Sequence, residues 1–398
     1  MNTARRTAPR PAPLGRTRIG CVLVACLVAG LSSAGSLVAQ GQPALEVAEP
    51  FKVGTFEIEG VRTVGLVLRD ALIVDIGAAN ADLERNPGYP RVPPPSDMLD
   101  LIGRYEYGVR LRLYEIVNRL VATGGLSGMG RADFVHDVEN VRILPPIMYP
   151  GKLLNAADNF YSRVAETGSE EEREAAIADR RANRGVPYLY LKPSRGVVIG
   201  ASDRIVLPYG RDQIDWEVEL AAIIGRAAKY VSSEDAQNHI FGYTVTIDVS
   251  DRGGRPAGGN PNPSDWLVEK GHDTFAPMGP WIVPKEFYGD PMEMLRQTLD
   301  VGEERMQEAT AGDMIHSLWE LVEYGSSIVT LFPGDVINSG TSGGVGEGTA
   351  RFLQPGEVVS ASIDGIGTLQ LPVVAGTVPP GSTGVRLPPA RSGGGDPE

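Results

Sequence analysis

The chain has 398 residues, of which 42% are hydrophobic and 22% are charged. It can therefore bury a substantial core, and we expect one large domain plus a smaller one. A formal charge of −13 argues against a nucleic-acid-binding protein, which needs a basic face, and the composition does not fit a multi-span membrane protein.

The N-terminal segment is basic and then apolar, ending in IGCVLVACLVAGLSSAGSLVAQ. This pattern predicts a signal peptide over residues 1–39, cleaved near Ala34 or Ala39, and hence an exported protein, periplasmic or secreted. The alternative is membrane anchoring, by an uncleaved apolar helix or by a lipid at Cys26 in LVAC. Cleavage after Ala39 would remove both cysteines, Cys21 and Cys26, and five arginines, so the formal charge would become −13 − 5 = −18.

Residues 51–140 predict a small α+β module. The segments FKVGTFEIEG, RTVGLVLRD and ALIVDIG alternate in the manner of short strands separated by turns. A helix is then predicted from Met98 to about Ala122, because Leu and Ile recur at helical spacing after the capping residues Ser96 or Asp97.

The segment SEEEREAAIADRRAN predicts an exposed helix, since Ser169 and Glu172 form a capping box and the apolar stripe is thin. It is either a solvated surface segment or a lid over a site. From Tyr188 the chain contains short apolar strands between Gly and Pro, which predicts a mixed β-roll, sandwich or barrel. The fold class is therefore α+β and mostly β. Residues 377–398 are rich in Pro, Gly and Ser and are predicted to be disordered.

Three carboxylates stand out in the β-rich region. Residues two apart on a strand face the same way, so Glu217 and Glu219 in DWEVEL share a face, and Asp248 ends the apolar strand YTVTID. If they converge, they form an all-oxygen site suited to Mg²⁺, Mn²⁺ or Ca²⁺, and their mutual repulsion favours a cation. From spacing alone, an ordinary exposed strand edge is the simpler interpretation.

The blocks DWEVELAAIIG, GYTVTIDVSDR, KGHDTFAPMGPWIVP and TLFPGDVINSGTSGGVG occur in this order. Together they resemble the catalytic domain of the fumarylacetoacetate hydrolase superfamily, with the likeness running from about Leu144 to Leu371. The resemblance implies such a domain over residues 144–375 and a homodimer. The preceding module is similar only in outline to the small domain that some members carry.

The resemblance also implies a site. Glu217, Glu219 and Asp248 would bind a divalent metal, normally Mg²⁺ or Mn²⁺, which holds adjacent oxygens of a small 2-oxo acid or 1,3-diketone. Lys270 would add positive charge beside the metal and the substrate carboxylate. The remaining matched positions would contact the substrate, and they are Thr274, Thr341, Gly340 and Lys192.

One block departs from the family pattern. Many members carry a histidine and, three residues later, a glutamate as the dyad that activates water, but DNFYSRVAETG has Arg163 at the histidine position and Glu166 after it. Arginine stays protonated and cannot act as a general base. Arg163 could instead bind a substrate carboxylate or pair with Glu166. Glu166 alone, with a pKa raised by burial, and His272 are the other candidates for the base.

Three functions follow from this pattern. The first is a Mg²⁺-dependent hydrolase that cleaves a C–C bond in a small diketo or 2-oxo acid of the fumarylacetoacetate or acylpyruvate type. The second, motivated by Arg163, is a decarboxylase or isomerase that uses the same metal-enolate chemistry. The third is a metal-dependent binding protein without turnover. We expect a small-molecule substrate, no nucleic acid and, after signal cleavage, no membrane partner.

Overall fold

The computed structural model describes residues 46–254 and 265–378. The predicted signal over residues 1–39, with both cysteines, lies outside these ranges, as do residues 379–398 of the predicted tail. Among the described residues, no helix combines the length and apolar character needed to cross a bilayer.

Strands form most of the framework, in one sheet of twelve strands, one of five and one of two. The strands are β1 (Lys52–Ile58), β2 (Val61–Leu68), β3 (Leu72–Asp75), β4 (Val135–Asp137), β5 (Arg142–Ile143), β6 (Leu153–Ala156), β7 (Leu189–Lys192), β8 (Val198–Ile199), β9 (Ile205–Leu207), β10 (Ile214–Asp215), β11 (Val218–Ile224), β12 (Ile240–Ile247), β13 (Ser250–Asp251), β14 (Ala276–Pro284), β15 (Arg296–Val301), β16 (Glu304–Thr310), β17 (Val336–Asn338), β18 (Val358–Ile363) and β19 (Gly367–Ala375).

Helices of varied length connect and cover the strands. They are α1 (Ile76–Leu83), α2 (Met98–Arg104), α3 (Val109–Thr123), α4 (Tyr161–Val164), α5 (Glu170–Ala182), α6 (Ser233–Ala236), α7 (Trp266–Lys270), α8 (Lys285–Tyr288), α9 (Pro291–Met294), α10 (Leu318–Ile328) and α11 (Gly346–Thr349). Short 3-10 turns occur at Tyr105–Tyr107, Gly128–Gly130, Val138–Asn140, Gln237–His239 and Ala311–Asp313.

The large sheet joins the two predicted regions of the chain. Its order is β4-β3-β2-β1-β14-β12-β11-β17-β6-β7, with β5 beside β1 and β8 beside β14. Strand β1, from the predicted N-terminal module, pairs antiparallel with β14 through Val53 and Ile282. The module and the later region therefore share one continuous sheet. The second large sheet runs β16-β15-β18-β19-β9, and the described strands do not close into a barrel, so the barrel option is wrong.

The helix predicted from Met98 to Ala122 is two helices. It is interrupted at Gly108, whose φ of 115° lies in the left-handed region and ends the regular helical hydrogen-bond pattern before α3 begins. Asp97 is the N-cap of α2, because its side chain accepts the N–H of Asp100. The capping box that begins α5 is confirmed, and no residue of α5 is buried.

Strand β11 is buried on both faces. Its even-numbered residues, with Trp216 just before it, pack into the core shared with the five-stranded sheet, whereas Ala221 and Ile223 pack into the core beneath α1–α3. Glu217 and Glu219 continue the second face by the strand alternation of two. Their carboxylates therefore lie at the end of an apolar face and inside the protein. The α+β class with mixed sheets is confirmed.

Candidate metal centre and active site

The pairing of β11 and β12 brings the three carboxylates together. The N–H of Asp248 donates to the carbonyl of Glu217 at 2.8 Å, which continues the antiparallel ladder one residue past β12. Glu217 and Asp248 are thus cross-strand neighbours, and Glu219 lies on the same face. One oxygen from each lies within 4.8 Å of the others, and all three residues are buried. The interpretation as an exposed strand edge is therefore wrong.

Lys270 is buried among these carboxylates. It is the last residue of α7, and its Nζ donates to Glu217 Oε2 at 2.8 Å, to Asp248 Oδ2 at 2.7 Å and to Ser250 Oγ at 2.6 Å. These three bonds satisfy all three donors of the ammonium group. Lys270 therefore places a positive charge directly against the carboxylate cluster, as the resemblance implies.

Strand β7 contributes two further groups to Asp248. Lys192 and Tyr190 are two residues apart and both donate to its carboxylate. Lys192 also donates to the carbonyl oxygens of Val249 at 3.1 Å and Phe275 at 2.7 Å, so all its donors are used inside the protein. The structure thus places Lys192 behind Asp248, where it orients a candidate metal ligand, and its contacts give no support for a substrate role.

The pKa shifts follow from burial and from these charges. Burial acts to raise the pKa of Asp248, but the ammonium groups of Lys192 and Lys270 outweigh it and hold that pKa below its usual value. The pKa of Glu219 lies well above its usual value because it is buried and because Asp248 and Glu217 are negative. Burial and the two neighbouring carboxylates therefore both disfavour a negative charge on Glu219.

These residues fit a divalent cation. Three buried carboxylates offer oxygen atoms alone, which is the donor set that Mg²⁺, Mn²⁺ and Ca²⁺ prefer. A cation would also offset the burial and the repulsion that together raise the pKa of Glu219. We therefore take Glu217, Glu219 and Asp248 as the residues that would hold it.

The glycine-rich loop from Gly340 to Glu347 is held by carboxylates that accept its backbone N–H groups. Glu219 accepts from Gly340 at 2.9 Å, Glu166 from Gly344 and Val345 at 2.6 and 2.9 Å, and Asp215 from Gly346 and Glu347 at 2.7 and 3.1 Å. Gly344 has a φ of 96°, and a Cβ there would lie 1.9 Å from a main-chain oxygen of β16. One metal-ligand candidate is therefore tied directly to this loop.

The two threonines assigned to the substrate differ. Thr341 lines the cavity beside Glu217, where its hydroxyl donates to the carbonyl of Val218 at 2.9 Å and accepts from Gln307 at 2.9 Å. Thr274 is not among the cavity-lining residues, and its hydroxyl accepts the N–H of Val206 at 3.0 Å. The geometry thus gives Thr274 a structural contact, and a substrate role for it has no support.

Arg163 and Glu166 are joined, as one sequence alternative proposes. Arg163 Nη1 donates to Glu166 Oε2 at 2.8 Å, and its Nη2 donates to Glu347 at 2.7 Å. Burial raises the pKa of Glu166, and the charge of Arg163 opposes this. Because Glu166 Oε1 is occupied by two loop N–H groups, both oxygens of this carboxylate already have partners.

Sequence reasoning missed Arg252, Tyr190, Asp215 and Glu347. Arg252 donates to Glu217 and, at 3.0 Å, to Asp215, and it lines the cavity with Arg163. It stands in the block GYTVTIDVSDR, four residues after Asp248, so that block carried a signal. Tyr190 alternates with Lys192 in YLYLK, which is a weaker signal.

No histidine approaches the cavity. All four histidines of the chain lie in the described ranges, and none is among the residues that line the cavity. His272 lies 3.1 Å from Asp251, which is also paired with Arg211, and its ring packs beside Phe275. His272 is thus part of a buried charged cluster and is not placed as a base.

The cavity next to the carboxylates has a volume of about 80 Å³. Its wall includes Trp266, which stacks on Tyr190 with ring centroids 4.3 Å apart. The cavity wall also carries groups of both charges.

The chain belongs to the fumarylacetoacetate (FAA) hydrolase family, because residues 152–374 match the family's C-terminal domain. It is similar to the maleylpyruvate hydrolase of Aquipseudomonas alcaligenes, with 33% identity over 234 residues, which is 59% of this chain and 76% of that protein. It is also similar to the mitochondrial oxaloacetate tautomerase fahd2 of Xenopus laevis, with 34% identity over 237 residues, 59% of this chain and 69% of that protein.

A solved structure shows the same fold. The maleylpyruvate hydrolase of Sphingobium sp. SYK-6, in complex with manganese(II) and pyruvate, has a TM-score of 0.59 and 26% identity, covering 82% of this chain and all of that chain. The relatives thus include both hydrolases and tautomerases, and one of them binds a divalent metal. The predicted family is confirmed.

Proposed function

We propose that this protein acts on a small 2-oxo acid with the help of a divalent cation, Mg²⁺ or Mn²⁺, held by Glu217, Glu219 and Asp248. The reaction that the geometry favours is enolisation of the substrate, as in keto–enol tautomerisation or isomerisation. The observation that carries this choice is the pairing of Arg163 with Glu166 at the position where a water-activating dyad is expected.

Enolisation and hydrolysis place different requirements on the site. Enolisation needs negative charge on a carbonyl oxygen to be stabilised, whereas hydrolysis also needs a base placed to activate water. When bound, the cation supplies Lewis-acid chemistry that polarises the carbonyl group. Lys270 adds a fixed positive charge at the same place, since the negative carboxylates beside it outweigh its burial and raise its pKa.

Among the described residues, the positions expected to carry the base hold no group that is free to activate water. Arg163 keeps its proton, and both oxygens of Glu166 already accept hydrogen bonds. The 34% identity to an oxaloacetate tautomerase supports enolisation as the reaction type. Hydrolysis of a C–C bond is the first function in the sequence analysis and is the second candidate here. The similarity to maleylpyruvate hydrolases favours it.

The test uses purified protein with Mg²⁺ or Mn²⁺ and two substrates, oxaloacetate and an acylpyruvate. We expect faster enol–keto conversion, followed by ultraviolet absorbance, and faster exchange of the C3 protons of oxaloacetate in D₂O, followed by NMR. Both rates are compared with the metal alone and with Glu217→Gln, which should lose the acceleration.

The other outcomes separate the alternatives. Acid products from the acylpyruvate would support the hydrolase, and CO₂ release from oxaloacetate above the metal-only rate would support the decarboxylase. Tight binding of metal and substrate without any product would support a binding protein. Full acceleration by Glu217→Gln would refute the assignment of the metal site.

Export and dimerisation are also proposals. The basic and apolar N-terminal pattern supports export through residues 1–39, and family membership supports a homodimer. N-terminal sequencing of protein recovered from cell fractions tests the first, and light scattering of the purified protein tests the second.

A further inference from the structure

Two guanidinium groups line the cavity and share one carboxylate. Arg163 Nη2 donates to Glu347 Oε2 at 2.7 Å, and Arg252 Nε lies 3.8 Å from the same oxygen. Both arginines line the cavity that also contains Glu217 and Lys270. Glu347 Oε2 therefore occupies the point where the two positive charges meet.

Glu347 is the exposed member of this group. Its side chain is 51% exposed, whereas those of Arg163 and Arg252 are 20% and 15% exposed. Ion pairs with an exposed partner contribute little to stability, about 0–1 kcal/mol. Another carboxylate can therefore replace Glu347 at the arginines at small energetic cost.

Arg163 is held firmly on its other side. Glu166 accepts from its Nη1, and Glu166 is itself fixed by the N–H groups of Gly344 and Val345. Among the described residues, the hydrogen bonds of Arg163 to Glu166 and Glu347 use two of its five donors. The guanidinium is thus oriented in advance, with donors left for an incoming anion.

The position of Arg163 and Arg252 beside the candidate metal ligands indicates which class of substrate would bind there. Arg252 contacts Glu217 directly, and Arg163 lines the same cavity as Glu217 while its Nη2 is bound to Glu347. A substrate bound to Glu217, Glu219 and Asp248 through its 2-oxo acid group would share this cavity with Arg163 and with the place beside Arg163 that Glu347 occupies. The internal occupant of that place is a carboxylate, so a second carboxylate is the group that matches it.

We propose that Arg163 is a specificity-determining residue that binds the second carboxylate of a dicarboxylic 2-oxo acid, and that Glu347 occupies this position in the free enzyme and is displaced by the substrate. This inference rests on the proposed function, since it presumes that the 2-oxo acid group is bound at the metal candidates. Arg163 then has a role in substrate binding at the position where the family pattern has a histidine.

The test compares two unreactive ligands that differ only at the far end. N-oxalylglycine has two carboxylates, and N-ethyloxamate has the same oxamate group with a methyl in place of the second carboxylate. Isothermal titration with the Mn²⁺-loaded protein gives both dissociation constants, after Mn²⁺ binding alone has been measured. We expect the wild type to bind N-oxalylglycine roughly 10- to 100-fold more tightly, as charge-assisted hydrogen bonds allow.

Three variants and one control test whether Arg163 and Glu347 cause the preference for N-oxalylglycine. Arg163→Gln should abolish most of this preference by weakening N-oxalylglycine, and Arg163→Lys should keep part of it because the charge remains without the planar fork. Glu347→Gln should increase the preference about two- to fivefold, because the competing carboxylate is removed. Arg305→Gln is the matched control, since Arg305 also bridges two carboxylates but lies on β16, away from the cavity.

The outcomes distinguish this inference from the proposed function. Absence of binding of Mn²⁺ or of either ligand by the wild type overturns both. Binding of N-ethyloxamate with no preference for N-oxalylglycine overturns the inference alone. Equal weakening of both ligands by Arg163→Gln would also overturn it, because a purely structural ion pair with Glu166 predicts that result. A lowered preference in Glu347→Gln would contradict the displacement.

Discussion

Replacement of Glu219 by glutamine should separate its role as a metal ligand from its role in the fold. In the metal-free protein its carboxylate lies within 4.8 Å of oxygens of Glu217 and Asp248. With an effective dielectric constant of about 20, Coulomb's law gives a repulsion of about 3.5 kcal/mol for two charges at that distance. Lys270 offsets much of this repulsion, because it donates to both neighbouring carboxylates.

Glu219→Gln removes one negative charge and keeps the shape of the side chain. Its amide oxygen can still accept the N–H of Gly340, which Glu219 accepts at 2.9 Å. We therefore expect the metal-free variant to be at least as stable as the wild type, with a gain of about 1–2 kcal/mol in the free energy of unfolding.

In the presence of Mn²⁺ the wild type should be more stable than Glu219→Gln. At a Mn²⁺ concentration 100 times the wild-type dissociation constant, binding adds about 2.7 kcal/mol to the stability of the wild type. If the loss of one anionic ligand weakens affinity by about 100-fold, the same concentration adds only about 0.4 kcal/mol to the variant. Urea denaturation with and without Mn²⁺ measures both quantities.

The control is Glu308→Gln on β16, whose side chain is 72% exposed. It should change stability by no more than about 0.5 kcal/mol and should keep the full metal effect. An unchanged metal effect in Glu219→Gln would show that Glu219 is not a ligand. A metal-free variant that is less stable by several kcal/mol would show that the carboxylate is needed for the fold.

Three further changes probe the surroundings of the site. Lys192→Met should lower the free energy of unfolding by about 1–3 kcal/mol in urea denaturation, because it removes one of the two buried ammonium groups that donate to Asp248 and also the donor to the carbonyls of Val249 and Phe275; a smaller loss than in an exposed lysine control would contradict this. In Arg163→Gln the pKa of Glu166, already raised by burial, should rise further above 4.5. A raised folded pKa costs stability as pH rises above the unfolded value, so the variant should lose more stability at pH 7.5 than at pH 5, and equal losses would refute the coupling. Gly344→Ala should destabilise the protein by roughly 2 kcal/mol or more in the same measurement, because of its positive φ and the backbone contact its Cβ would make.

The parts of the site that could be predicted are those with a local pattern. The alternation of DWEVEL places Glu217 and Glu219 on one face, and the capping boxes at Ser169 and before α10 are short-range hydrogen-bond patterns. The break at Gly108 was missed, because a single glycine is tolerated inside many helices and only its φ shows that the helix ends.

The parts that could not be predicted depend on long-range pairing. Tyr190 reaches Asp248 only because β7 folds beside β6 in the large sheet, 58 residues away from the aspartate in sequence. Glu347 meets Arg163 across 184 residues, and nothing in the glycine-rich segment marks its side chain for that contact. Thr274 was predicted to contact the substrate, but its hydroxyl accepts the N–H of Val206 instead. A block that matches the family does not determine the direction in which a hydroxyl points.

The pair formed by Arg163 and Glu166 has a consequence beyond the loss of a base. A general base must exchange its hydrogen-bond partners during a proton transfer, but Glu166 accepts two N–H groups of the glycine-rich loop through one oxygen and a guanidinium through the other. Protonation of this carboxylate would weaken all three bonds at once. The same loop begins at Gly340, whose N–H is bound by Glu219. A permanent charge at Arg163 therefore stabilises the ionised form of Glu166 and, through the loop, helps to keep a metal-ligand candidate in place. The same pair holds the guanidinium of Arg163 in a fixed orientation for a ligand, while the groups around Lys270 supply the chemistry.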